Sequence, residues 1–121
     1  MQQENHEQRR QYYRLRYPRN DRPVITLMDK KYHVCEISEQ GLRIVFLSQN
    51  PVAIGLTVSG KISFHDSETL SIEGEILRQD DLEVIIKLTK GVSFKRMTVE
   101  QLYLRKKYPK VYARKKRVAN S

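Results

Sequence analysis

The chain has 121 residues, 39% of them hydrophobic, with 23 Lys and Arg against 14 Asp and Glu and a formal net charge of +9. That allows one domain with a modest core and short tails. A single cysteine, Cys35, rules out an internal disulfide scaffold. The longest apolar runs, such as Ile44-Val45-Phe46-Leu47, fall far short of the ~20 residues of a membrane helix. The polar N-terminus lacks the apolar stretch of a signal peptide, so a cytoplasmic protein with no membrane insertion is expected.

Residues 1–22 hold six arginines (Arg9, Arg10, Arg14, Arg16, Arg19 and Arg22), no lysine and three acids, a net of +3. This polar segment is expected to be a flexible arm. Arginine presents a planar fork of donors suited to phosphates and guanine edges. The body is different: residues 23–104 carry nine bases and eleven acids, a net of −2.

Six short strands are predicted in that body. The candidates are Val24–Met28, Tyr32–Ile37, Leu42–Leu47, Leu56–Phe64, Leu70–Ile76 and Leu82–Leu88. Period-two alternation is clearest in the last three, where apolar residues interleave with Ser, Thr, Lys and Glu. A three-residue turn at Asp66-Ser67-Glu68 pairs Phe64 with Leu70, Ile62 with Ile72 and Gly60 with Gly74, which sets two inward glycines face to face. A further turn is placed at Gln79-Asp80-Asp81. Six antiparallel strands with short connections favour closure into a barrel.

The period then changes. Thr98-Val99-Glu100-Gln101 matches a capping box, predicting a helix over 98–108 with Thr98 as N-cap and Pro109 as its stop. Val99, Leu102 and Tyr103 are expected to pack on the barrel. Residues 105–121 hold eight bases and no acid. They read either as a solvated tail or as a docking segment for an acidic partner. The fold class is therefore mainly β, a six-stranded antiparallel barrel with a C-terminal helix. Its domain organisation is an arm (1–22), the barrel and helix (23–109) and a basic disordered tail (110–121).

Little in the chain suggests catalysis. The three histidines have no metal-ligand spacing, and one cysteine forms no zinc cluster. His33 and Cys35 share a strand face, but nothing orients them as a nucleophile pair, so Cys35 reads as a buried strand residue. No glycine-rich phosphate loop precedes a helix. No enzyme activity, metal or cofactor is expected.

Two segments carry more information. Arg10 and Arg14 form an R-x-x-x-R spacing ahead of the first strand. Between the second and third strands lies Glu36-Ile37-Ser38-Glu39-Gln40-Gly41. In this order they resemble the PilZ domain family, which pairs R-x-x-x-R with [D/N]-x-S-x-x-G some twenty residues on. Ser38 and Gly41 match the second motif, and Glu36 stands where the family usually has Asp or Asn. The strand order, and the stretch from Gly91 through Arg105, are also similar to single-domain bacterial members, so the resemblance spans about residues 9–108.

The resemblance implies binding of cyclic di-GMP, a bacterial second messenger. Guanine offers O6 and N7 to an arginine fork, and a guanidinium plane stacks on a purine. The implied ligand-binding set is Arg9, Arg10, Arg14, Glu36, Ser38 and Gly41. Arg10 and Arg14 would meet guanine and phosphate. Glu36 and Ser38 would accept from the guanine N–H edge, and Gly41 would let the backbone approach. Arg9 would meet a second, stacked ligand molecule. Binding would draw the arm onto the barrel, protect residues 8–16 from proteolysis and present a changed surface to a downstream protein. Two alternatives stay open. One is a small basic barrel for RNA or single-stranded DNA, for which Tyr12, Tyr13 and Tyr17 could stack bases; the net −2 of the body weighs against a nucleic-acid polymer. The other is a ligand-free protein-docking adaptor.

Overall fold

The structure is a computed structural model describing residues 13–46 and 52–112. Seven strands, β1 (Leu15–Arg16), β2 (Val24–Leu27), β3 (Lys30–Ser38), β4 (Gly41–Val45), β5 (Thr57–Ser63), β6 (Thr69–Asp80) and β7 (Glu83–Lys90), precede helix α1 (Phe94–Lys107) and the short turn of helix α2 (Pro109–Tyr112). Six strands close into an antiparallel barrel in the order β3-β2-β5-β6-β7-β4, with β4 returning to β3. β3 is long enough to pair with β4 along one edge and with both β2 and β1 along the other. The two-residue β1 was not anticipated. It draws Leu15 and Tyr17, both buried, out of the expected flexible arm and into the fold.

Alternation builds the core, as the sequence implies. Val58 and Ile62 of β5, Ile72 and Ile76 of β6, and Val84, Ile86 and Leu88 of β7 are buried, while their neighbours along each strand are mostly exposed. Met28 and Asp29, both with positive φ, make the two-residue β2–β3 turn, which ends β2 at Leu27 and starts β3 at Lys30.

The β5–β6 register differs from expectation by two residues. Phe64 leaves the ladder, the connection runs 64–68 with Ser67 at φ 70°, and Ile62 pairs with Leu70, Gly60 with Ile72 and Val58 with Gly74. A slip of two keeps every inward residue inward, so the alternation could not distinguish the two registers. Phe64 is instead buried beneath the Arg96 guanidinium, 4.4 Å from the ring centroid. The glycines do not face each other. Each makes room for a different neighbour: a Cβ on Gly60 would overlap Thr26 O and the Leu27 side chain in β2, and one on Gly74 would overlap Lys87 O in β7. At the other end of β6, Leu77 sits at a bulge and the strand runs on to Asp80. The turn therefore falls at Asp81-Leu82 rather than Gln79–Asp81, and Leu82 is exposed.

The helix starts earlier than the capping box suggests. Ser93 is the N-cap, its Oγ accepting from Arg96 N at 3.0 Å, whereas the Thr98 hydroxyl bonds back to Phe94 O. Starting at Phe94 rotates the buried face onto Met97, Glu100 and Leu104, and leaves Leu102 exposed. Pro109 does end α1 and opens α2, whose residues 110–112 extend the fold into the expected tail. Leu47, the expected end of the third strand, and residues 113–121 of the tail lie outside the described residues.

Candidate ligand-binding site

The Glu36-x-Ser38-x-x-Gly41 segment forms the β3–β4 hairpin. Just before it, β3 carries a bulge between Val34 and Glu36. Cys35 is the extra residue, fully buried, its Sγ contacting Arg43 O at 3.3 Å, while His33 is exposed. Burial first, then the Glu83 charge, push the Cys35 thiol pKa up. Beyond the bulge Glu36 pairs with Arg43, Ile37 with Leu42 and Ser38 with Gly41. Ile37 and Leu42 are buried, which turns Glu36, Ser38, Gly41 and Arg43 to the outer face.

The turn at Glu39-Gln40 is clamped from behind. Leu88 N donates to Gln40 O at 2.9 Å and Val92 N to Glu39 O at 3.2 Å. A Cβ on Gly91 would overlap the Glu39 carbonyl, so glycine is required there for the close approach. At Gly41 a Cβ would fit in ordinary contact, 3.4 Å from Ser38 Oγ and 3.7 Å from Ile86 O, and so would stand against the Ser38 hydroxyl.

β1 lies against the same hairpin. Leu15 pairs with Ile37 and Arg16 with Glu36, and Arg14 is exposed immediately before the strand. Arg16 bonds Glu36 at 3.2 Å and reaches Glu83 at 3.5 Å. Arg43 bonds Glu83 at 3.0 Å and Asp80 at 3.4 Å. Burial would lower the Arg43 pKa, but hydrogen bonds and charge from Glu83 outweigh it and raise it. Of the six residues expected to bind ligand, Glu36, Ser38 and Gly41 share this face, Arg14 is exposed just before β1, and Arg9 and Arg10 lie outside the described residues. Arg16 and Arg43 were missed. Each stands two residues beyond a motif residue, at the period that keeps it on the same face of its strand.

A second polar cluster fixes the arm to the helix. Glu100 is 0% exposed, and its carboxylate accepts from Tyr17 Oη at 2.6 Å and Arg96 Nη1 at 2.7 Å, with His65 Nε2 3.1 Å from the same oxygen as Arg96. Arg96 continues to Asp66 at 3.1 Å, and the His65 and Tyr103 rings stack at 3.6 Å. Further along the arm, Asp21 accepts from Tyr103 at 2.9 Å, Tyr108 at 3.0 Å and Lys107 at 3.1 Å. Burial would raise the Asp21 pKa; those three donors more than offset it and hold the carboxyl below its ordinary value. Among the described residues no group of His, Cys, Asp and Glu side chains could hold a metal ion. Nor is any helix among them long and apolar enough to cross a membrane.

The fold is that of a small closed antiparallel β-barrel domain with a C-terminal helix, its short first strand laid along a Glu-x-Ser-x-x-Gly hairpin. Residues 8–107 match the PilZ domain, and the chain belongs to that family of cyclic di-GMP-binding adaptor domains. Among solved structures, the chain is similar to an uncharacterised protein from Legionella, at 16% identity and a TM-score of 0.48, over 90% of this chain and 96% of that one. No curated protein matches at a comparable level of significance.

Proposed function

We propose that this chain is a cyclic di-GMP receptor that passes ligand occupancy to a downstream protein. The supporting observation is the juxtaposition of β1 with the β3–β4 hairpin, which sets Arg16 against Glu36, on the hairpin that also carries Ser38 and Gly41, with Arg14 two residues before Arg16. Arg10 and Arg14 would meet the phosphates and the guanine O6 and N7, with Arg9 available to a second ligand molecule. Glu36 and Ser38 would accept from the guanine N–H edge. In the free chain Arg16 occupies Glu36, so the incoming base must displace it. The Arg16 side chain is 54% exposed, and an ion pair with so solvated a partner is worth about 1 kcal/mol or less; the guanidinium could then turn to the anionic ligand while keeping its contact with Glu83.

The signal would be the new position of the arm, read by a partner protein.

Calorimetric titration of the full chain with cyclic di-GMP tests the reading, alongside Arg14→Ala and Ser38→Ala. Saturable binding is expected, weakened roughly tenfold to hundredfold in Arg14→Ala, the equivalent of a lost bidentate contact. Proteolytic cuts within residues 8–16 should slow with ligand. No saturation by the natural chain, or equal binding by Arg14→Ala, would overturn it.

A further inference from the structure

Among the described residues β1 pairs with β3 alone, along one of its two edges. The chain returns to β1 at its C-terminal end. Tyr112 donates to Arg16 O at 2.7 Å and so stitches α2 to that strand. Between the two runs a groove of about 400 Å³, with Tyr13, Arg14, Arg16, Tyr108, Val111 and Tyr112 among its lining residues. The Tyr108 and Tyr112 rings stand 6.4 Å apart, tilted by 60°. Tyr13 is 42% and Val111 63% exposed, so the groove is open to solvent.

Two features identify an occupant. The first is chemical. Aromatic walls suit the face of a flat π-system, and the arginines at the rim suit acceptors and negative charge on that same molecule. A purine joined to a phosphodiester carries both, and 400 Å³ is within the range of small-ligand pockets. The second is continuity. Arg14 and Arg16 line the groove, while Arg16 also bonds Glu36. The groove and the hairpin face are therefore two sides of one strand.

We propose that the groove between β1 and α2 is a purine subsite, seating one guanine of cyclic di-GMP against the tyrosines while the other guanine meets Glu36 and Ser38. The assignment rests on the receptor reading above and adds residues that neither sequence motif contains. It makes α2 part of the site, with one base on each side of β1 and the phosphates near Arg14 and Arg16.

The test separates the two claims. The full-length chain, Val111→Trp, Tyr13→Ala and Ser38→Ala are titrated with cyclic di-GMP, each first checked for an unchanged urea midpoint. Val111→Trp alters an exposed position and fills the groove; Tyr13→Ala removes one wall. Each is expected to weaken binding roughly tenfold. In the natural complex, the guanine H8 protons should show NMR cross-relaxation with the Tyr108 and Tyr112 rings. If Ser38→Ala weakens binding but the groove variants bind normally and no such cross-relaxation appears, the subsite is wrong and the receptor reading stands. If the natural chain shows no saturable binding, both fall.

Discussion

Tyr17→Phe isolates one oxygen whose loss can be followed from geometry to stability. The Tyr17 hydroxyl donates to Glu100 Oε1 at 2.6 Å, and both residues are buried. Burial first, then the adjacent Glu100 carboxylate, raise the phenol pKa far above its ordinary value, so the hydroxyl remains a proton donor through the working pH range. Phenylalanine keeps the ring and its packing and leaves Oε1 without that donor. Arg96 and His65 serve the other oxygen. A buried, charged acceptor that loses a donor costs about 1.5–3 kcal/mol, well above the value of a surface hydrogen bond. Urea unfolding at pH 7 is the assay. With a slope of about 1–3 kcal/mol per molar, the midpoint should fall by roughly 1 M with the slope unchanged. Glu100→Gln and the double variant complete a cycle, in which the coupling between the two sites should exceed about 1 kcal/mol. A midpoint shift equivalent to less than about 0.5 kcal/mol would refute the claim that this bond stabilises a buried charge.

Three other outcomes follow from contacts already described. Gly41→Ala should leave the urea midpoint nearly unchanged, because its Cβ meets only Ser38 Oγ at 3.4 Å and Ile86 O at 3.7 Å, yet weaken cyclic di-GMP binding by standing against the Ser38 hydroxyl. Gly74→Ala should instead destabilise the barrel by about 2 kcal/mol or more, and equal midpoints for the two variants would contradict the geometry. Asp21 has a depressed folded-state pKa, so its stabilisation is present above the ordinary carboxyl value of 3.8 and is lost as pH falls through the lower folded value. Asp21→Asn should thus be less stable than the natural chain at pH 7, by about 1–2 kcal/mol, with the gap narrowing as the pH falls below 3.8; a gap that does not narrow as the pH falls below 3.8 would count against this. Cys35, buried and with its thiol pKa raised, should react with iodoacetamide at pH 8 far more slowly in the native chain than in urea. Labelling at the free-thiol rate would show that the cover over the bulge is absent.

The barrel was legible because one face of each strand meets the core and the other meets water. That contrast writes a period of two into residues 57–63, 69–76 and 83–88, and it survives without knowledge of the partner strand. It carries no information about displacements that preserve parity, and so the β5–β6 register was missed by two residues. Bulges at Cys35 and Leu77 leave no local mark either, since each is created by the strand opposite. Ser93 and Thr98 both satisfy local capping chemistry. The choice falls to Ser93 once Glu100, rather than Val99 and Leu102, faces inward. Nothing near Glu100 in sequence announces this, because Tyr17 is 83 residues away. At the hairpin, Glu36, Ser38 and Gly41 stood out as a pattern, whereas Arg16 and Arg43 become visible only when β1 and β4 are placed on either side of β3.

The placement of Glu100 also bears on how a signal could leave the site. Helix α1 rests on the core through buried Met97 and Leu104 and, as expected from the sequence, through partly buried Tyr103, while Phe94 and Leu102 face water. Apolar contact is non-directional, so those side chains alone do not set the rotation and slide of the helix. Its position is set by directional bonds instead, from Glu100 to Tyr17, from Arg96 to Asp66, and from Tyr103, Lys107 and Tyr108 to Asp21. Two of those anchors, Tyr17 and Asp21, belong to the segment that begins with Arg14 and Arg16. A displacement of that segment would strip a donor from a buried carboxylate, which ties the segment to the helix. A ligand that shifts the energy of residues 14–17 is therefore expected to shift the opening energy of α1, and by reciprocity a protein bound to α1 would change ligand affinity by the same factor. Amide hydrogen exchange is the direct check: on adding cyclic di-GMP, protection should change in residues 94–107 as well as in 14–17. A change confined to 14–17 and the hairpin would show that the anchors do not couple the two.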